Sequence, residues 1–151
     1  MRLTALLVSV FVTFSQSVAA CDGRVISDGV YDAPLCTPTE PARIVVLDPQ
    51  MALGMLWELD VPVLGAPLVS LPDADAGTRA RKAGIADIGH AQQPSLERIV
   101  ALRPDLIIGD AYTHESLYPS LTRIAPTVLS THQDWKAHFM LLAEVTGRRE
   151  P

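Results

Sequence analysis

Strands that alternate with helices along most of the chain predict an α/β fold, a Rossmann-like lobe with a mostly parallel sheet and helices on both faces. Three observations carry this. The runs Ile44-Val45-Val46-Leu47 and Leu106-Ile107-Ile108 are continuously apolar, a pattern strands show when helices cover both sides of a sheet. The strand-like runs are separated by segments with helical apolar spacing. Between Pro94 and Asp110, a capped helix, a Pro104-Asp105 turn and an apolar strand ending in a carboxylate follow each other without spare residues, which is one half of an α/β crossover.

In chain order, residues 21–42 hold Asp22-Gly23, Asp28-Gly29, Pro34, Pro38 and Pro41 among short alternating pieces and read as an extended arm with a hairpin. Arg43 to Asp48 is the first strand, closed by its acid and Pro49. A helix over about Gln50 to Leu59 follows, with Ala52, Leu53, Leu56 and Leu59 on one face, then a strand at Pro62 to Gly65. Leu68 to Lys82 has few apolar residues and reads as a surface loop. Ser95 caps the next helix, whose buried face is expected to hold Leu96, Ile99 and Val100, and Pro104 stops it. After the strand at Leu106, a helix is expected from His114 to Ile124, with Leu117, Leu121 and Ile124 aligned. A strand at Thr127 to Ser130 and a helix from Asp134 to Thr146, stopped by Gly147, complete the lobe.

The 151 residues suit a single domain preceded by a segment outside the fold. Arg2 supplies a positive start, Ala5 to Phe14 an apolar stretch too short to span a bilayer, and Val18-Ala19-Ala20 a small-residue cleavage point, so residues 1–20 read as a signal peptide and the destination as the periplasm. Cys21 and Cys36 allow two exclusive readings. Paired, they close a loop of about 16 residues that stabilises by roughly 3 kcal/mol. Alternatively, Val18-Ala19-Ala20-Cys21 is a lipobox, Cys21 carries a lipid anchor and Cys36 stays a free thiol. A formal charge of -5 argues against a nucleic-acid partner, since neutralising phosphates requires a basic face. The one basic cluster, Arg79, Arg81 and Lys82, reads as a solvated loop.

In open parallel sheets, ligands collect beyond the carboxyl ends of the strands. That rule selects Asp48, Pro49, Gln50 and Met51, then Ala66 and Pro67, then Asp110, Ala111 and Tyr112, then Thr131, His132 and Trp135. The Gly89–Gln93 loop, with His90 and Gln92, joins them. Tyr112 can stack on a flat ligand while its hydroxyl hydrogen-bonds, and a ring covering the sheet edge is the structural alternative. Trp135 offers the same surface or simply packs at a helix start. His90, His114, His132 and His138 lack metal-ligand spacing, and no Cys or HExxH pattern supports them. No nucleophile elbow, P-loop or GxGxxG is present, so no catalytic constellation emerges.

The pattern Leu96-Glu97-x-Ile99-x-Ala101-Leu102-x-Pro104-Asp105-Leu106-Ile107-Ile108 resembles a signature of the substrate-binding proteins that deliver ferric siderophores, haem or vitamin B12 to ABC importers. The resemblance implies a lobe over residues 43–151 that is half of a two-lobed, helix-linked binding protein, with no reaction catalysed and no intrinsic cofactor. The implied ligand is a ferric siderophore held by its organic shell, with haem or cobalamin as alternatives, and no protein metal ligand is needed. The sheet-end rule places the ligand contacts at Gln50, Met51, Pro67, His90, Gln92, Tyr112 and Trp135, and the resemblance supports Tyr112, because the loop after this strand often presents an aromatic in the family. Glu97 sits in a helix first turn, where a carboxylate meets the positive end of the helix dipole. The resemblance adds a second role for it, pairing with arginines on the ABC permease. Some hydroxamate-binding relatives place an arginine just before the motif proline, where this chain has Gly89-His90-Ala91-Gln92-Gln93-Pro94. A monomer is the expected state. A single-lobe sensor or interaction module and a small exported α/β enzyme are the readings from other classes.

Overall fold

The computed structural model describes residues 21–71 and 73–148; the expected signal peptide lies outside them. Five parallel strands form the central sheet in the order β5-β4-β3-β6-β7, with β3 Ile44–Val46, β4 Val63–Ala66, β5 Ala86–Asp87, β6 Leu106–Asp110 and β7 Thr127–Ser130. The expected α/β lobe is therefore present. Alternate residues of β3 serve opposite faces. Ile44 and Val46 join a core with Leu56 of α1 (Gly54–Glu58) and Leu141, Leu142 and Val145 of α6 (Trp135–Val145). Val45 instead joins Ile99 of α3 (Leu96–Leu102) and Leu121 of α5 (Tyr118–Leu121). Both faces being covered is why these strands read as unbroken apolar runs.

The expected loop at Leu68–Lys82 is mostly helical: a 3₁₀ turn at Leu68–Ser70 precedes α2, Ala74–Lys82. Few apolar residues are needed because only Gly77 and Ala80 are buried along α2, and Ala80 packs with Leu53, Ala66 and Ile85. Asp73 caps the helix by accepting from the Asp75 and Ala76 N–H groups, while Arg79, Arg81 and Lys82 occupy the last turn, where cations complement the helix dipole. The expected helix over His114 to Ile124 is divided into α4 (Ala111–His114), a 3₁₀ turn (Glu115–Leu117) and α5. Pro119 brings no N–H and suits only a helix's first turn, so α5 starts anew around it. On α3 the buried side is Leu96, Ile99 and Leu102, and Val100 is 53% exposed.

The arm forms the expected hairpin, β1 Arg24–Ile26 against β2 Leu35–Thr37. Cys21 and Cys36 are joined in a disulfide, which occupies the sulfur that a lipid anchor on Cys21 would need. Beyond the hairpin, Val30 bridges Ser130 in antiparallel sense, and Tyr31 packs edge-on against Tyr118 at 5.1 Å. None of the described helices is long and apolar enough to cross a membrane.

Candidate functional site

From β3 the chain winds through α1 to β4 on one side, and from β6 through α4 and α5 to β7 on the other. The carboxyl ends of β3 and β6 therefore flank the point where the winding reverses, and the loops leaving them diverge and open a crevice. A pocket of about 290 Å³ occupies this crevice, lined by Asp48, Gln50, Met51, Ala91, Gln92, Asp110, Thr113, His114 and His132.

Two aspartates shape its floor. Asp48 ends the first crossover strand and accepts from the N–H groups of Gln50 (3.1 Å) and Met51 (3.4 Å), capping the π-helical turn Pro49–Leu53. Asp110 does the same for α4, accepting from Thr113 N–H at 2.9 Å. Burial is the main cause holding the Asp48 carboxyl above its ordinary range; the Asp110 charge adds to this, and the backbone donors and His114 oppose it.

His114 ties two loops together. Fully buried, it donates from Nε2 to the Ala91 carbonyl at 2.8 Å, while Nδ1 accepts from the Asp110 N–H at 3.3 Å. Its Nδ1 also lies 3.2 Å from the Asp110 carboxylate, so a protonated ring keeps a partner on each nitrogen. Behind the pocket, His138 meets the Ser130 hydroxyl at 2.9 Å through Nδ1, and burial lowers its pKa below 6.5.

Of the expected contacts, Gln50, Met51 and Gln92 line the pocket. His90 is exposed on the same loop as Gln92 but outside the lining, and Pro67 is buried after β4, so it presents no surface there. Tyr112 (95% exposed, α4) and Trp135 (59% exposed, α6) lie outside the lining, on helices that start at the same sheet edge. The Lys136 ammonium lies 5.6 Å from the Trp135 ring centre. Glu97 is exposed in the first turn of α3, which opens at that edge after Ser95 accepts from the Arg98 N–H. Thr113 and His114 were not singled out as contacts; the signal available was Asp110-x-x-Thr113, the spacing of a capping aspartate after an apolar run. Among the described residues, no group of three His, Cys, Asp or Glu side chains is placed to hold a metal ion.

A second hollow, of about 380 Å³, lies between α1 and α2. Leu53, Trp57 and Leu71 line it together with Arg79, whose guanidinium sits 4.1 Å from the Trp57 ring centre, and it shares Gln50 with the crevice pocket.

Comparison with known proteins gives a consistent result. The family described as "Periplasmic binding protein" matches residues 45–150. The Fe(3+) dicitrate-binding periplasmic protein FecB of Escherichia coli is 34% identical over 119 residues, 72% of this chain and 38% of that protein. Among solved structures, the siderophore-binding protein BauB, bound to two acinetobactin molecules and ferric iron, superposes with a TM-score of 0.69 at 29% identity, covering 83% of this chain and 46% of that one. Staphylococcus aureus SirA complexed with staphyloferrin B gives 0.70 at 27% identity, covering 82% and 42%. The chain thus spans less than half the length of these relatives.

Proposed function

This chain belongs to the periplasmic binding protein family, and we propose that within it the protein captures a ferric siderophore outside the cytoplasm and hands it to an ABC permease, catalysing no reaction. The observation that carries this reading is the crevice pocket, where four separate chain segments meet at the reversal of the sheet, in a chain similar to proteins named for ferric citrate and ferric acinetobactin. Gln50, Met51 and Gln92 hydrogen-bond or pack on the chelate's organic shell, and Tyr112 and Trp135 supply ring surface from the rim. His90 acts as a polar donor beside them, and Pro67 shapes the loop from beneath. The residues pictured here form one wall, residues 43–151 being one lobe of a two-lobed protein.

Iron stays ligated by the siderophore. Adding a ferric siderophore therefore quenches tryptophan fluorescence, and adding bare ferric ion does not. Tight binding of bare iron that is lost in His90→Ala or His132→Ala overturns the reading.

Glu97 is the docking residue for the permease. Exposed at the opening of α3, it pairs with a permease cation, and removing one partner of a desolvated charge pair costs about 2–5 kcal/mol of association. Its helix-dipole role alone accounts for at most about 1 kcal/mol of folding stability. Glu97→Arg therefore keeps its ligand affinity and loses uptake into vesicles. Uptake at the wild-type rate by a folded, ligand-binding Glu97→Arg protein returns Glu97 to a structural role.

A further inference from the structure

The crevice pocket carries two carboxylates, Asp48 and Asp110, and no permanent cation, and His114 is the lining side chain that opposes their charge at Asp48. The cations at neighbouring helix starts are engaged elsewhere: Arg98 donates to the Asp87 carbonyl at 3.0 Å, and Lys136 lies against the Trp135 ring. Asp48 is disfavoured as an anion by its burial and by the Asp110 charge, so a cation brought by a ligand relieves both at once. Of the other lining side chains, Gln92 and Thr113 can each accept a hydrogen bond as well as donate one.

Resting on the reading above, we propose that Asp48 and Asp110 set the charge class of the chelate, so that this lobe takes ferric chelates presenting an ammonium or other cationic donor group and disfavours those presenting free carboxylates. Discrimination of this kind arises because a like charge brought against a partly desolvated carboxylate is penalised more than the matching cation is rewarded in water. The wall described here is thus suited to a different chelate face from that of citrate-type ligands, although one relative is named for ferric dicitrate.

A matched series isolates the charge. A linear ferric trihydroxamate with a terminal ammonium, its N-acetyl derivative and its N-succinyl derivative share one iron core and differ at one end. Titrated into the protein with both lobes present and followed by tryptophan fluorescence, they bind in the order cation, neutral, anion, with about tenfold between the ends at low salt. The gap shrinks in 0.5 M salt, where the screening length falls to about 4 Å. It closes to within about threefold in Asp48→Asn/Asp110→Asn. Asn caps helices as well as Asp does, and Asp48→Ser and Asp110→Ser provide a second capping pair if the first melts early. A flat or reversed order in the wild type, or a gap that survives both variant pairs, overturns the charge assignment alone. Failure of all three chelates to bind overturns this inference, and the siderophore reading falls with it only if ferric catecholate and ferric citrate complexes fail to bind as well.

Discussion

The two hollows differ in how they are built more than in their size. The groove between α1 and α2 is the larger and more apolar, yet every residue lining it falls between positions 49 and 79, so it is a gap between consecutive elements. The crevice pocket gathers Asp48, Gln50 and Met51 with Gln92, Asp110, His114 and His132, from segments distant in sequence and brought together only by the reversal of winding. A packing gap needs only neighbours that fit imperfectly, whereas convergence at the carboxyl edge follows from the topology of the whole sheet. Chemistry divides them less, since both hold carboxylates and share Gln50, and what sets the groove apart is Arg79 stacked on Trp57 among Leu53 and Leu71.

Substitutions can break this contrast. The largest effect is expected for His114→Ala, which leaves a cavity, removes the bond to the Ala91 carbonyl and costs about 3 kcal/mol by denaturant unfolding. Siderophore binding should fall with it, because the loop carrying Gln92 loses its tie. Trp57→Ala in the groove should cost about 2 kcal/mol through lost packing and the Arg79 contact, and leave siderophore affinity unchanged. If Trp57→Ala abolished binding while His114→Ala spared it, the groove would be the site. Tyr112→Ala and Trp135→Ala should each weaken the ferric complex about tenfold at an unchanged melting temperature, since both rings are exposed; an unchanged affinity would limit the site to the pocket lining.

The smallest effect concerns pH. Burial lowers the His138 pKa, so below 6.5 the unfolded chain takes up a proton that the folded chain refuses. Its contribution is complete above 6.5 and is lost as pH falls through the folded value. Asp48 acts in the opposite sense: its raised pKa makes the folded chain take up a proton first as pH falls toward 3.8, which adds stability. Melting curves of wild type and His138→Gln across this range separate the two, and superimposable pH profiles would remove His138 from the account.

The strands were legible because a doubly covered sheet leaves unbroken apolar runs, and their ends pointed directly to Asp48 and Asp110. What stayed hidden depended on distance or on small residues. α2 buries little beyond Gly77 and Ala80, so hydrophobic spacing could not reveal it, although the Asp73 cap and the basic last turn were present in the sequence. Val100 matched the apolar spacing of α3 and is nonetheless exposed, because a helix this short needs only Leu96, Ile99 and Leu102 to cover Val45 and Ile107. His114 read as one of four scattered histidines. Its role depends on Ala91, 23 positions away, and spacing along a chain carries no such information.

The arm has a consequence for behaviour at high concentration. β7 is an outermost strand with the uncharged sequence Thr-Val-Leu-Ser, the kind of edge that recruits strands from other molecules. Val30 seals it, with Tyr31 N–H donating to the Leu129 carbonyl at 2.8 Å and Thr131 N–H to the Gly29 carbonyl at 2.9 Å. Gly29 sits at φ +69°, a left-handed conformation that favours glycine, and a Cβ there would push the His132 ring aside. The opposite edge, β5, is two residues long and offers little to pair with. Holding the arm closed through Cys21 and Cys36 therefore acts as protection against self-association, and a reduced chain should form oligomers well before it loses its helical signal.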